Sequence, residues 1–411
     1  FQFVAVQSVM AEYGVAFDET EVDERRKTGQ LMPLVSRACT EDWWRLQLRK
    51  LTNKTLERVA RDLELVGNHN VAYCSSESVY RQRYRQQKNK QLLENLIAID
   101  EDDPSNVFTL FELAQKTTSN PYIRRSEMFV RLKGCDTIAQ AQNHDCLFIT
   151  MTCPSKFHSS SKGNTNRAWL EAGKPTTQDA QNYLCSTWAD IRRDFDDNGI
   201  EFYGMRSVEP HHDGCPHWHL LVYCLPEHTE EIKATFTKRC LQVDGTEKGA
   251  KKRRVTFEDI DFARGSGISY VAKYLSKSID GLNVTDNKTS LSGIEAAERI
   301  VAWARVNGIR QFQFFGLPSV TTWRELRKIK ADLSQDEKLN DLDEVQRFAV
   351  EQCRRAAHAS DWAAFCHAMG GIFVKRSVRP IYPHYHVPQI FDELLDDHVP
   401  KQTRYGDEAV A

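Results

Sequence analysis

A short segment with two histidines one residue apart constrains the fold of this chain more than any other part. It reads Glu209-Pro-His-His-Asp-Gly-Cys-Pro-His-Trp-His219 and continues into an apolar, β-branched stretch. Because side chains alternate along a strand, His217 and His219 are predicted to point to the same face. Residues 200–208 also have strand character, and Asp213-Gly214 lies between the two stretches. The sequence therefore predicts an antiparallel hairpin.

The predicted hairpin carries the side chains of a metal site. Glu209 is expected at the end of the first strand, facing the imidazoles of His217 and His219. Two neutral imidazoles and one carboxylate leave coordination positions open, as a catalytic metal needs if it is to bind a phosphate oxygen. We therefore predict these three residues as ligands, with Asp213 and His211 as competitors of Glu209 for the third position.

Further along the chain, Tyr270-Val-Ala-Lys-Tyr-Leu-Ser-Lys277 is predicted to form a two-sided helix. Its apolar side consists of Ile268, Val271, Ala272, Leu275 and Ile279. Its other side carries Tyr270, Lys273, Tyr274 and Lys277. A helical tyrosine is usually a core or boundary residue, but here an apolar side already faces the core. Each tyrosine precedes a lysine by three residues, and a nearby ammonium group favours the nucleophilic phenolate.

Together with Leu147-Phe-Ile-Thr-Met-Thr-Cys-Pro-Ser-Lys-Phe-His158, these segments resemble the motifs of the HUH endonuclease superfamily in its two-tyrosine branch. The chain is most similar to the bacteriophage replication gene A proteins, which initiate rolling-circle replication. Phe315 to Arg327 resembles a stretch that follows in the phage proteins. The resemblance covers roughly residues 141–330, and three motifs in the family's order make a specific signal.

The resemblance implies a metal-dependent DNA endonuclease that nicks and rejoins origin DNA through a 5′-phosphotyrosine. Tyr270 and Tyr274 would be the nucleophiles, with Lys273 and Lys277 assisting. The implied cofactor is Mg²⁺ or Mn²⁺, and the implied substrate is single-stranded or locally melted origin DNA. Host helicase and polymerase are the implied protein partners, in the cytoplasm of a bacterial host and without a membrane.

Other interpretations share parts of this pattern. A plasmid relaxase or a transposase of the same superfamily would use the same chemistry, although two tyrosines four residues apart favour the phage type. Two histidines and a carboxylate also suit a non-haem iron oxygenase, which has no use for the tyrosine and lysine side of the helix. A non-catalytic origin-binding protein with a structural metal is a third alternative.

The charge of the chain indicates local rather than global contacts with DNA. The formal net charge is −2, whereas a protein that coats nucleic acid is usually basic. The predicted DNA contacts are Lys251, Lys252, Arg253, Arg254 and Arg264, ahead of the tyrosine helix, with His158 and Lys156 in the first motif. The runs 81–85 and 124–125, taken singly, are interpreted as solvated charged faces.

Three aromatic residues near these motifs also receive predictions. Tyr203 and Phe157 are predicted to stack on bases. Trp218 lies on the strand face opposite to the histidines and is predicted to be a core residue.

The sequence divides into three regions. Residues 1–140 are predicted to be a helical accessory or DNA-engaging domain, 141–320 the catalytic domain, and 321–411 a mostly helical accessory region. The fold class is predicted to be α+β, with a mainly antiparallel sheet flanked by helices.

The cysteines and the hydropathy of the chain indicate its compartment. Eleven cysteines without a CxxC pair indicate free thiols in a reduced cytoplasm. The sequence also has no apolar run of membrane length. The chain opens at Phe1, as a piece of a longer protein would. Pro383-His-Tyr-His386 repeats the histidine spacing but is interpreted as a surface or packing element.

Overall fold

The computed structural model describes most of the chain. The described residues are 2–67, 70–100, 103–161, 163–282, 285–286, 289, 291–329 and 342–381, with the backbone of 401–402 and 408–409. The segment Pro383–His386 lies outside them. No helix in these ranges combines the length and the hydropathy that crossing a membrane requires.

The first part of the chain is mainly helical, as predicted. Its helices are α1 Gln2–Glu12, α2 Glu19–Lys27, α3 Met32–Ala38, α4 Glu41–Asp62, α5 Ser76–Asn95, α6 Leu110–Gln115 and α7 Pro121–Gln142. A small antiparallel hairpin, β1 Ile97–Ile99 and β2 Val107–Thr109, lies between α5 and α6. Side-chain caps define several helix starts, because a hydroxyl satisfies a backbone N–H that has no partner within the helix. At α5, for example, the Ser75 side chain accepts from the backbone N–H of Ser78.

From residue 145 onward strands and helices alternate. The strands are β3 Asp145–Thr152, β4 Ser160–Ser161, β5 Asn164–Thr165, β6 Phe202–Pro210, β7 Pro216–Cys224, β8 Val255–Asp259, β9 Phe312–Phe315, β10 Lys401–Gln402 and β11 Glu408–Ala409. The helices are α8 Arg167–Glu171, α9 Thr177–Asp197, α10 Thr229–Cys240, α11 Ala250–Arg253, α12 Gly267–Ile279, α13 Gly293–Val306, α14 Val320–Leu326, α15 Glu344–His358 and α16 Trp362–Ala368.

Five strands form the main sheet in the order β8-β3-β7-β6-β9, and every neighbouring pair is antiparallel. Helices pack on this sheet, so the predicted α+β class is confirmed. The predicted hairpin is β6 and β7. Because β6 extends to Pro210, Glu209 lies inside the paired strand and directly opposite His217.

The sheet has a hydrophobic core on each face, because alternate residues of its central strand point to opposite sides. On one face Trp218, Leu220 and Val222 pack with α9 and α10, which confirms Trp218 as a core residue. On the other face Leu221 and Tyr223 pack with α7, α12, α14, α15 and α16. The two histidines of β7 share the parity of this second face, so they point toward α12.

Segments on both sides of the predicted domain boundaries join these cores. Val79 of α5 belongs to the first core. Leu132 and Cys135 of α7, which precedes residue 140, belong to the second core. Trp362 and Phe365 of α16, which follows residue 320, belong to the second core as well. The boundaries at 140 and 320 stay a prediction.

Candidate metal centre and tyrosine helix

Strand register brings three metal-ligating side chains together. In the β6–β7 hairpin Glu209 lies opposite His217, and His219 follows two residues later on the same face. One ligand atom from each of these residues lies within 4.8 Å of the other two, and all three residues are buried. The structure thus places together the three residues that the sequence predicts as ligands.

Two further side chains hold this cluster in position. Thr150 of β3 lies opposite His219, and its Oγ1 is 2.9 Å from Nδ1 of that imidazole. With Nδ1 engaged, Nε2 is the ring nitrogen that would bind a metal. From α12, Ser278 Oγ donates to Oε1 of Glu209 at 3.2 Å. Two buried imidazoles and one buried carboxylate, with hydroxyl partners on His219 and Glu209, fit a divalent metal with open coordination positions.

The competing residues for the third ligand position lie beside this cluster. His211 packs against His217, with ring centroids 4.2 Å apart. The Asp213 carboxylate instead contacts Nδ1 of His158 at 3.2 Å. Burial tends to raise the pKa of Asp213, but His158 and Arg61 outweigh it and hold that pKa well below its usual value. These contacts support Glu209 as the third ligand.

Helix α12 places the two tyrosines beside the cluster. The ring of Tyr274 stacks on His219, with centroids 4.1 Å apart and planes at 29°. Phe148 of β3 lies 5.7 Å from the Tyr274 ring and 5.9 Å from the Tyr270 ring. Tyr274 is half-buried and packs against the second core, whereas Tyr270 is exposed. The prediction that Tyr274 faces away from the core is therefore wrong, because its ring packs against His219 and Phe148 of the sheet.

The environment of Tyr274 also differs from the predicted one. Burial, with added repulsion from Glu209 and Glu258, raises the pKa of this phenol. The predicted partner Lys277 is itself buried. Its Nζ lies 3.0 Å from Asp286 and donates to the Tyr73 hydroxyl at 3.0 Å. These contacts therefore do not support the prediction that Lys277 stabilises a Tyr274 phenolate.

The other predicted lysine lies on a different side of α12. Lys273 is exposed. It borders an open groove together with Tyr122 and Arg125 of α7.

The predicted DNA-contacting cations divide into two groups. Lys251, Lys252, Arg253 and Arg264 are exposed. Arg254 is buried, donates to the Val243 carbonyl at 2.8 Å and pairs with Glu247 at 2.9 Å. Its predicted DNA contact is corrected to a structural role, because its guanidinium group is already used within the protein.

The residues of the first motif also have protein partners. His158 is engaged by Asp213, and Lys156 forms an ion pair with Asp244 at 3.0 Å. Phe157 is buried and stacks on Tyr183. The prediction that Phe157 stacks on bases is therefore wrong.

The same holds for the second predicted base-stacking residue. Tyr203 is fully buried and stacks on Tyr223, with ring centroids 5.0 Å apart. Its strand parity turns it toward the second core, so its ring is not accessible to a base.

Sequence reasoning missed four residues that support the site: Thr150, Ser278, Tyr73 and Asp286. The strand parity of β3 could have indicated Thr150, since it lies in the first motif. Nothing local indicates Tyr73, whose hydroxyl donates to Asp286 at 2.6 Å across more than two hundred residues of chain. These contacts depend on how distant segments pack.

Comparison with known proteins finds a matching family and relatives that are named replication proteins. A family model described as bacteriophage replication gene A protein matches residues 3–282. The chain is 37% identical over 373 residues to the replication protein of Haemophilus phage HP1, covering 90% of this chain and 46% of the relative. It is 32% identical over 366 residues to the replication gene A protein of Escherichia phage P2, covering 86% and 46%.

A bacterial relative is named a probable replication endonuclease. It comes from a prophage-like region of Salmonella typhimurium and is 30% identical over 406 residues, covering 96% of this chain and 48% of the relative. The chain spans about half the length of the curated relatives it matches. No solved structure matches it.

Proposed function

The chain belongs to the bacteriophage replication gene A protein family, and from that membership and the site geometry we propose that it nicks and rejoins origin DNA. It would act as a strand-specific endonuclease that initiates and terminates rolling-circle replication of phage DNA. The observation that carries this proposal is the stacking of Tyr274 on His219 at 4.1 Å, beside Glu209 and His217. A nucleophile and a set of metal ligands are thereby in contact.

Glu209, His217 and His219 would hold the metal, Mg²⁺ or Mn²⁺. When bound, such an ion polarises a phosphate oxygen and offsets negative charge next to the reacting groups. The surroundings of Tyr274 make that charge relevant. Burial and Glu209 both raise the pKa of this phenol, and therefore disfavour the phenolate needed for attack.

The tyrosines supply the covalent step. A phenolate oxygen attacks the scissile phosphorus in line, the new O–P bond forms, and the P–O3′ bond breaks. The phenol proton passes to solvent, and the departing 3′-oxygen takes up a proton. The products are a 5′-phosphotyrosine and a free 3′-hydroxyl. No nucleoside triphosphate is consumed, because the phosphotyrosine bond retains the energy of the phosphodiester bond.

Two tyrosines would permit the reaction to be repeated without release of the DNA. Tyr270 and Tyr274 lie one helical turn apart on α12, so both reach the same side of the helix. After one round of replication the second tyrosine attacks the regenerated origin. The 3′-hydroxyl then resolves the first linkage and closes a circle. The substrate is single-stranded or locally melted origin DNA, and host helicase and polymerase are the proposed partners.

The test is the formation of a covalent adduct. The protein is incubated with single-stranded origin DNA and Mn²⁺, and SDS-resistant adducts are separated and mapped by mass spectrometry. We expect at least one of Tyr270→Phe and Tyr274→Phe to form an adduct, and the double variant to form none. Tyr122→Phe, an exposed tyrosine on α7, is the matched control and should react as the wild type does. An adduct on any other residue, or one that survives in the double variant, would overturn the proposal.

The metal ligands are tested in the same assay. His217→Ala and His219→Ala should each abolish adduct formation while the circular dichroism spectrum stays unchanged. Near wild-type nicking by the His219 variant in Mg²⁺ would show that the metal assignment is wrong.

A further inference from the structure

Two consecutive helices and a third that is distant in sequence line a strongly basic cleft. Helices α4, α5 and α13 line a space of about 430 Å³. Six cationic residues lie in its wall, namely Arg49, Lys50, Lys54, Arg81, Arg85 and Arg305. No aspartate or glutamate is among the lining residues in the described part of the chain. We call this space the basic cleft.

The carboxylates that the structure describes neutralise little of this charge. Arg81 pairs with Glu77 at 2.6 Å. Within the described ranges the other five cations form no ion pair with a carboxylate. Burial and the nearby Arg49 lower the pKa of Arg85. Arg305 is exposed at its surface, and local desolvation together with Arg85 and Arg124 lowers its pKa. Like charges therefore repel one another in the cleft, and an anion would relieve that repulsion.

A buried amide in the wall gives an independent indication of a ligand. Gln82 is only 3% exposed and lines the cleft. Its Oε1 accepts from Arg85 at 2.6 Å. Its Nε2 is buried and has no hydrogen-bond acceptor among the residues that the structure describes. A buried amide donor is costly to leave unsatisfied, so this group favours a ligand with acceptor oxygens.

We propose that the basic cleft binds the phosphodiester backbone of double-stranded DNA that flanks the nicking site; this inference rests on the proposed function. Arginine, lysine and amide donors are the groups that contact phosphate oxygens in protein–DNA complexes. Among the residues that the structure describes, none that lines the cleft is aromatic, whereas sites for single strands stack bases on aromatic rings. The cleft therefore recognises phosphates, not bases, and its binding is independent of sequence.

Helix α13 connects the cleft with the candidate metal centre. Arg305 lies near its C-terminal end. Two residues earlier, Trp303 Nε1 donates to the carbonyl of Gly214 at 2.9 Å, in the turn between the two ligand-bearing strands. The same helix packs against the tyrosine helix α12. Duplex bound in the cleft would thus be fixed to the part of the protein that carries the ligands.

The cleft was not visible in the sequence, since its cations come from three helices. The run 81–85, taken singly, is interpreted above as a solvated face. Only the packing of α4 and α13 against α5 places Arg49, Lys50 and Arg305 beside it.

The test compares two triple variants of equal charge. Arg49→Gln, Arg85→Gln and Arg305→Gln are combined in the cleft variant. Arg45→Gln, Arg193→Gln and Arg355→Gln form the control, because these arginines are exposed and each pairs with a carboxylate within its own helix. Binding of fluorescent duplex DNA is measured by anisotropy over a series of NaCl concentrations. Thermal melting of each variant checks that the fold is retained.

The cleft variant should lose phosphate contacts. Each lost phosphate contact makes the plot of log affinity against log salt concentration less steep by about 0.9, so three lost contacts change the slope by about 2 to 3. At low salt the affinity for duplex DNA should fall by a factor on the order of tens. The control should stay within about twofold of the wild type, since isolated surface pairs contribute little. Equal slopes for the two variants would overturn the proposal.

Two further binding measurements identify the class of ligand. Competition by millimolar inorganic phosphate or ATP would mark a small phosphate site and overturn the duplex assignment. A larger affinity loss for oligo(dT) than for duplex would overturn it in favour of a single strand.

The covalent assay separates this proposal from the proposed function. A short single-stranded oligonucleotide that spans only the nicking site should form its adduct equally with the wild type and the cleft variant. Adduct formation with equal salt slopes would refute the cleft alone. A changed slope without any wild-type adduct would refute the nicking activity and leave the cleft as a DNA-binding site.

Discussion

At the scale of single residues, one threonine orients a predicted metal ligand. Thr150 Oγ1 contacts Nδ1 of His219 at 2.9 Å, so loss of this hydroxyl should let the imidazole rotate. Outer partners of this kind typically change metal affinity by about 10- to 100-fold. We therefore expect Thr150→Val to weaken Mn²⁺ binding by about that factor, measured by isothermal titration calorimetry.

A second threonine provides the control. Thr187 of α9 is buried and donates one hydrogen bond, to the Tyr183 carbonyl at 2.9 Å. Thr187→Val removes a comparable hydrogen bond away from the metal centre and should leave Mn²⁺ affinity unchanged. Equal affinities for the two valine variants would show that Thr150 does not orient His219.

Glu209 and Asp213 should differ in what their loss affects. Glu209→Ala removes one of the three clustered candidate ligands and should lower metal affinity. Asp213→Ala removes the acceptor of the Cys215 backbone N–H and the partner of His158. Leaving such buried groups unsatisfied costs about 1 to 3 kcal/mol each, so this variant should lose stability in urea denaturation more than metal affinity. If metal titration showed a larger loss of affinity for Asp213→Ala than for Glu209→Ala, the third ligand would be Asp213 in the turn.

At the scale of elements, helix α7 approaches α16 at a glycine. A Cβ added at Gly134 would lie 2.6 Å from Cβ of Trp362 and 2.9 Å from the backbone nitrogen of Ala363. Helix propensity alone favours alanine over glycine by about 1 kcal/mol. Overpacking typically costs about 1 to 3 kcal/mol. Since these contacts include backbone atoms that cannot rotate away, we expect Gly134→Ala to lower the free energy of unfolding and the melting temperature.

The control lies on the exposed side of the same helix. Thr137 of α7 is exposed, and Thr137→Ala should change stability by no more than about 0.5 kcal/mol. A gain in stability for Gly134→Ala would mean that α16 does not pack on α7 at this position.

At the scale of the whole molecule, Arg61 connects the N-terminal helices with segments beside the five-stranded sheet. Its buried guanidinium group donates to the carbonyls of Asp213 at 3.1 Å, Pro175 at 2.9 Å and Phe157 at 2.6 Å. Hydrogen bonds to charged groups contribute about 1.5 to 3 kcal/mol each. We expect Arg61→Met to lower the free energy of unfolding by about 3 kcal/mol or more and to increase proteolysis between α4 and α5.

Arg58 is the matched control for this change. It lies on the same helix and is exposed, so Arg58→Met should have little effect on unfolding or proteolysis. If both variants unfold at the same urea concentration, Arg61 does not join the two parts of the molecule.

Much of the architecture could be predicted from the sequence, because it follows from local periodicity. Alternation in 217–224 placed His217 and His219 on one face, and the observed strand β7 covers Pro216–Cys224. Residues 200–208 were predicted to form the partner strand, and the observed strand β6 covers Phe202–Pro210. Such features depend on neighbours a few residues apart, and a single sequence contains that information.

Only the tertiary structure decided the partners of individual side chains. Lys277 has helical spacing to Tyr274 but pairs with Asp286. Arg254 belongs to a basic run but is buried among backbone carbonyls. The basic cleft unites cations from three separate helices. Periodicity determines on which side of its own element a residue lies, whereas burial, ion pairing and pKa depend on which distant segment packs over that side.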